Sequence, residues 1–141
     1  MASRHLSLRI PNDAFERLEA ESRRTGRSRS EVAKTLIEEG LRMEQHPGIV
    51  FRSGPTGRRP GLVGGPDVWE VVRVLLEMTA EGEPAIKRAV ERTGLTEEQV
   101  RSALRYYADY RDEIASWIRR VDQAAASAEA AWRGEQELLR A

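Results

Sequence analysis

Six residues near the start of the chain alternate strictly between apolar and polar side chains. The apolar and the polar members are, in turn, Leu6, Leu8 and Ile10, and His5, Ser7 and Arg9. A period of two over six residues predicts a β-strand over residues 5–10 with one buried face. We expect Pro11 to end the strand, because proline has no N–H to donate to a neighbouring strand.

The next two segments carry apolar residues three and four positions apart, which predicts two helices. We expect Asn12 to cap the first helix and Gly26 to end it, since glycine tolerates the left-handed conformation. Ser28 and Glu31 have the spacing of a capping box, in which Ser28 caps the second helix and Glu31 reaches back. This second helix should run to about Met43.

The first 45 residues are too few to fold stably as a single chain. A lone strand has no neighbour, and about ten apolar side chains make too small a core. Both shortages disappear if two chains pair their strands antiparallel, which predicts an obligate homodimer. Its core should contain these apolar residues: Leu6, Leu8, Ile10, Leu18, Leu36 and Ile37. The alternative is an edge strand in an ordinary α+β domain.

Such a ribbon turns its polar residues outward, and a two-stranded ribbon fits the major groove of B-DNA. His5, Ser7 and Arg9 are therefore candidate base contacts, with Arg9 suited to a bidentate pair with guanine. The alternatives are that Arg9 is only a solvated charge and that His5, at the end of the strand, contacts no DNA.

The start of the second helix has free N–H groups and the positive end of the helix dipole, which together favour a phosphate. Phosphate contacts hold a protein in register on DNA without reading its sequence. The predicted phosphate contacts at this helix start are Arg27, Ser28, Arg29 and Ser30.

The strand from His5 to Pro11, the helix with Phe15 and Leu18, and the turn from Gly26 to Glu31 resemble the ribbon-helix-helix fold of Arc/MetJ/CopG-type regulators. The resemblance covers about 40 of the 141 residues without a gap. It implies sequence-specific binding of inverted-repeat operators, often by the antitoxin of a toxin–antitoxin pair.

Residues 46–66 contain six glycines, four prolines and three arginines. This composition predicts a linker or a small hairpin. Arg58 and Arg59 are candidate DNA phosphate contacts, and the alternative is that they pair with acids of the following helix. The segment lacks the spacing of a phosphate-binding loop.

Residues 67–122 carry several short helical patterns, and residues 89–104 have the shape of a helix-turn-helix. Gly94 should end the first helix of this pair, and Thr96 and Gln99 have the spacing of a capping box at the start of the second. The second helix of that pair begins with Glu97 and Glu98, which would repel phosphates and so argue against insertion into DNA. Residues 47–115 also resemble a small trihelical domain of unknown function found in bacterial antitoxin-like proteins. This second resemblance identifies no chemistry.

Residues 123–141 predict an Ala-rich helical tail whose large apolar side chains need cover. They can dock on their own domain or, as an amphipathic helix, on a partner. The candidate partner-binding residues on and just before this tail are Trp117, Val121, Trp132, Leu138 and Leu139.

The net charge is zero, but bases exceed acids by three in residues 1–30 and again in residues 46–66. The positive charge that would attract DNA therefore lies in the first half. The sequence has no cysteine and two histidines, so it predicts no disulfide and no metal site. It also predicts no cofactor, no membrane span and no secretory leader, and hence a cytoplasmic location.

The adjacent carboxylates Glu97/Glu98 and Asp112/Glu113 diverge by about 100° on a helix, and no nucleophile lies beside a base, so we expect no enzyme. The predicted fold is mainly α, with an N-terminal ribbon-helix-helix and a C-terminal helical, helix-turn-helix-like unit. The predicted function is a DNA-binding regulator that binds an inverted-repeat operator and represses its own operon as the antitoxin of a cognate toxin. The alternatives are a stand-alone dimeric repressor and an interaction module without DNA binding.

Overall fold

The computed structural model describes residues 2–55, 57–78 and 81–140. Contacts divide the chain into two compact units, Met1–Gln45 and His46–Ala141, named here the first and the second unit. The described residues are mainly helical and include one small antiparallel sheet.

The first unit contains helix α1, Asn12–Thr25, and helix α2, Arg29–Gln45. Residues 2–11, named here the arm, form no regular secondary structure. The strand predicted over residues 5–10 is thus absent from the single chain, and the described strands follow both helices. A strand needs a neighbour for its N–H and C=O groups, and these two strands pair only with each other.

Two of the predicted signals at the ends of α1 and α2 are present in the structure. Gly26 ends α1 with φ +70°, and the Glu31 N–H donates to the Ser28 hydroxyl over 3.1 Å. The prediction that Asn12 caps α1 is wrong, because Asn12 is itself the first helical residue and follows Pro11. Pro11 occupies the cap position, and its side chain has no hydrogen-bond acceptor, so α1 begins without a side-chain cap.

The second unit starts with a hairpin of strands β1, Ile49–Gly54, and β2, Gly57–Leu62. Four helices follow: α3, Val68–Leu76; α4, Glu83–Thr93; α5, Glu97–Asp109; and α6, Arg111–Arg140. The buried core of this unit consists of the following residues: Ile49, Leu62, Val68, Val71, Val72, Ile86, Ala89, Val100, Ala103, Tyr106 and Ile114. The hairpin, α3, α4, α5 and the start of α6 thus share one core.

Local signals again set the ends of these helices. Thr96 and Gln99 form the predicted capping box at the start of α5, and Gly94 ends α4 with φ +73°. The two helices therefore meet at a tight turn of glycine and a polar cap. A further capping box joins Asp67 and Glu70 at the start of α3.

Asp67 is the residue that ties the hairpin to α3. Its carboxylate receives hydrogen bonds from the guanidinium groups of Arg52, at 3.1 Å, and Arg59, and from the indole N–H of Trp69 at 3.3 Å. Arg52 and Arg59 lie directly opposite each other on the two strands. Like charges facing each other across a ladder repel, and the largely buried Asp67 carboxylate, 12 % exposed, offsets this repulsion.

Two glycines make room for this cluster. A Cβ atom at Gly61 would overlap the guanidinium of Arg52, and one at Gly54 would overlap that of Arg59. Both guanidinium groups bond to Asp67, so a side chain at either glycine would compete with these ion pairs for space. The glycines of the hairpin therefore serve the packing of its arginines as well as its turn.

We predict that Asp67→Asn lowers the free energy of unfolding of the second unit by about 2 kcal/mol, because two facing guanidinium groups lose their shared counter-charge. Urea unfolding followed by tryptophan fluorescence measures this change. The control is Asp122→Asn, which breaks the surface ion pair with Arg73 and should cost about 0.5 kcal/mol or less. Equal losses in the two variants would contradict the role given to Asp67.

Candidate nucleic-acid interface

The arm carries the three predicted base contacts, and all of its described side chains are exposed. His5, Ser7 and Arg9 therefore lie in solvent. The alternating apolar residues are exposed as well, with Leu6 68 % and Leu8 61 % exposed. The single chain thus leaves both faces of the arm open, the polar one and the apolar one.

Apolar exposure extends through the whole first unit. Among its described residues Val32 is the one buried apolar side chain, and α1 buries none. The exposed large apolar side chains of this unit are Leu6, Leu8, Ile10, Phe15, Leu36, Ile37, Leu41 and Met43. Of the residues predicted for a dimer core, Leu18 alone is half-buried in the single chain. Exposed apolar side chains in such number are typical of a surface that another molecule covers.

The start of α2 is held in place by side chains of the same unit. The Arg27 guanidinium donates to the Thr35 hydroxyl over 2.8 Å, and the Arg27 carbonyl accepts from the Ser22 hydroxyl. The Arg29 guanidinium lies 5.2 Å from the centre of the Phe15 ring and 3.9 Å from the Glu19 carboxylate. Both arginines thus remain beside the helix start, where Ser28 and Ser30 are also exposed.

Two acids lie close to this helix start, Glu31 and, beside Arg29, Glu19. The ammonium group of Lys34, 3.0 Å away, lowers the pKa of the Glu31 carboxyl, and Arg27 acts in the same direction from 3.7 Å. Glu31 is therefore ionised at neutral pH, and two neighbouring cations offset its charge. An anion approaching the N-terminus of α2 meets a locally positive surface.

In the hairpin, Arg58 and Arg59 have partners inside the second unit. Arg58 donates to the Ser53 hydroxyl over 2.8 Å, and Arg59 pairs with Asp67. The pairing of Arg59 with an acid at the start of the next helix is the alternative that the sequence left open. The phosphate contacts proposed for both arginines stay predictions.

The helix-turn-helix-like segment pairs its cations with its own acids. Arg101 contacts Glu83 and Glu97, and hydrogen bonds to these carboxylates raise its pKa. Arg105 pairs with Glu98. At the exposed start of α5, the carboxylates are thus paired with arginines of the same unit. This helix start offers no positive surface to a phosphate.

The candidate partner-binding residues differ in exposure along α6. Trp117 and Val121 are half-buried, and the Arg120 guanidinium lies 4.5 Å from the Trp117 ring centre. Trp132, Leu138 and Leu139 are 59 %, 79 % and 80 % exposed. Of the five candidate partner-binding residues, two are thus partly covered in the single chain and three are exposed.

Sequence reasoning missed two groups that organise the second unit. One is the Asp67 cluster, for which the only local signal is an acid at a helix start. The other is His46, whose Nε2 lies 2.9 Å from the Asp109 carboxylate and whose ring packs edge-on against Tyr106. His46 and Asp109 are far apart in the sequence, so no local pattern pairs them.

Comparison of the chain with protein-family models, with curated proteins and with solved structures finds no match. Within the part of the chain that the structure describes, no group of three or more His, Cys, Asp or Glu side chains is arranged to hold a metal ion. No described helix combines the length and the apolar character needed to cross a bilayer. The fold and the site therefore define a mainly helical protein of two units, and the first unit leaves most of its described large apolar side chains exposed.

We predict that Ser28→Ala lowers the stability of the first unit by about 1 kcal/mol, because the helix start loses its cap. Ser28→Asp should keep the stability, since a carboxylate also caps a helix, but should weaken DNA binding by placing a charge at the phosphate site. Circular dichroism and fluorescence anisotropy measure the two effects. Unchanged DNA affinity in Ser28→Asp would exclude a phosphate contact at this helix start.

We also predict that Lys34→Ala raises the pKa of the Glu31 carboxyl towards its ordinary value, because its closest cation is lost. The folded pKa of Glu31 lies below the ordinary value, so this interaction stabilises the first unit above the unfolded pKa and is lost as the pH falls through the folded pKa. Carboxyl chemical shifts in an NMR titration measure the change. An identical titration curve in the variant would contradict the assigned cause.

Proposed function

We propose that the chain is a dimeric, sequence-specific DNA-binding transcriptional regulator whose first unit forms a ribbon-helix-helix with a second copy. The observation that carries this proposal is the apolar surface of the first unit, of which the single chain buries one residue. The order of the arm and two helices agrees with the resemblance of the sequence to ribbon-helix-helix regulators.

Pairing of two arms accounts for both of their open faces. If the arms lie antiparallel, their backbone groups bond to each other and Leu6, Leu8 and Ile10 turn onto the helices. The same pairing turns His5, Ser7 and Arg9 of both copies to one outer face, where a major groove can receive them. The starts of the two α2 helices then flank this face as phosphate contacts.

The wider proposal is that this regulator is an autorepressing antitoxin that binds a cognate toxin through its C-terminal region. It rests on the two sequence resemblances. A short neighbouring gene whose product copurifies with the chain supports this role, and its absence favours a stand-alone dimeric repressor.

We predict that Arg9→Ala weakens binding to the DNA upstream of the chain's own gene by about 1–3 kcal/mol and relaxes its sequence specificity. Arg29→Ala should weaken binding to all sequences alike and reduce the salt dependence by about one unit of slope, because one phosphate contact is lost. Fluorescence anisotropy at several salt concentrations measures both effects.

Arg133→Ala is the matched control, since Arg133 lies on α6 and pairs with Glu129. It should leave DNA affinity and salt slope unchanged. If Arg9→Ala behaves like this control, the outer face of the arm does not read bases. If the unaltered protein binds no DNA at all, the chain is an interaction module whose ribbon serves dimerisation alone.

A further inference from the structure

The second half of α6 is a helix without cover. With 30 residues, α6 is about 45 Å long. Its first half contributes Ile114 and Ile118 to the core of the second unit, whereas residues 122–140 are exposed except for Gln136. These five turns carry Trp132, Leu138 and Leu139, all more than half exposed. A helix of this kind is marginal in water unless its apolar face is packed.

The exposed half of α6 has the residue spacing of a helix that packs along a second helix in a coiled coil. Starting from Val121, positions alternately four and three residues apart lie on one stripe of the helix. They are Val121, Ala125, Ala128, Trp132, Glu135 and Leu139. The same spacing extends back to Ile118 and Ile114, which pack on the core of the second unit. One stripe therefore packs inside the unit in its first half and continues uncovered in its second half.

Side-chain size is unevenly distributed along the uncovered stripe. Its earlier positions are small, Ala125 and Ala128, and its later ones include the large Trp132 and Leu139. Ala124, Ala131 and Leu138 widen one edge of the stripe in the same order. Two copies in parallel would place Trp132 against Trp132 and leave alanine against alanine. Two antiparallel copies place the large half of each on the small half of the other, which fills the seam.

We propose that residues 122–140 pair with the same segment of a second copy as an antiparallel two-helix coil. In this register Trp132 packs on Ala128 of the second copy, and Leu139 packs on Val121. Asp122, which pairs with Arg73 inside the second unit, lies on the same edge as Arg140 at the opposite end of the stripe. Antiparallel pairing therefore brings Arg140 of the second copy beside this ion pair. The two Glu129 carboxylates meet near the middle of that edge, and Arg133, 2.5 Å from Glu129 in the same helix, offsets the charge of each.

Glu135 is the one charged residue on the stripe, and it fixes the orientation. In a parallel pair the two Glu135 carboxylates face each other and repel, whereas in the antiparallel pair each faces Ala125. A lone charge in a seam lowers stability while it specifies one arrangement. The proposed occupant of this surface is thus a second copy, and binding of a toxin there is the competing outcome of the test.

The test uses the full chain, which has no native cysteine. Ala131→Cys lies on the apolar edge of the stripe, next to the two-fold axis of the antiparallel pair. A short bis-maleimide reagent should therefore crosslink most of this variant to itself. Ala130→Cys is the matched control, because it lies on the opposite face of the same helix and should give only the background of random collision. Ala125→Cys should also stay at background, since antiparallel pairing separates its two copies.

Three further variants make the outcome decisive. Adding Trp132→Glu to Ala131→Cys should abolish the crosslink, and adding Glu135→Leu should produce it at lower protein concentration. Adding Leu8→Asp, which disrupts the proposed ribbon, should leave it unchanged, so the result does not depend on DNA binding. Crosslinking of Ala125→Cys would show a parallel pair and overturn the proposal. Background crosslinking of Ala131→Cys overturns it as well, and leaves a toxin as the competing occupant of this surface.

Discussion

The stability of the first 45 residues depends on an apolar surface that a single chain cannot bury. In a folded domain, burial of apolar side chains must offset the conformational entropy of about 1–2 kcal/mol per ordered residue. The first unit buries Val32 and leaves Leu36, Ile37 and Leu41 in solvent. Gly26 ends its first helix and Ser28 caps its second, but such local contacts alone rarely keep a helix folded in water. The proposed ribbon follows from this shortage, since a second copy supplies both the missing strand and the missing core.

The second unit meets the same requirement within one chain. Its eleven-member core draws on the hairpin and on α3, α4, α5 and α6. Asp67 then fixes how the hairpin meets α3, by binding two guanidinium groups that would otherwise repel each other. This use of Arg59 explains why a basic hairpin need not be a DNA contact. The second half of α6, like the first unit, has apolar side chains that the single chain leaves exposed. Here too, the proposed cover is a second copy.

The features that could be predicted from the sequence are those set by contacts between residues close together in the chain. Gly26, Ser28, Thr96 and Gly94 set helix ends through contacts within four residues, so their patterns were sufficient. The prediction that Asn12 caps α1 was wrong because Pro11 occupies the cap position. Contacts that join distant residues, such as Arg52 with Asp67 and His46 with Asp109, depend on hairpin register and helix packing, which no single stretch encodes. The strand over 5–10 and the base contacts on it depend on a second molecule, so they remain predictions.

Hydrogen exchange of the arm amides in the free protein, resolved residue by residue by NMR, tests the central claim most directly. If two arms pair, alternate amides between residues 5 and 10 bond to the other copy and exchange far more slowly than an unstructured peptide. Their protection should rise with protein concentration, because it depends on dimerisation. Exchange at the rate of an unstructured peptide at every concentration would show that the arms do not pair, and the ribbon would then be excluded.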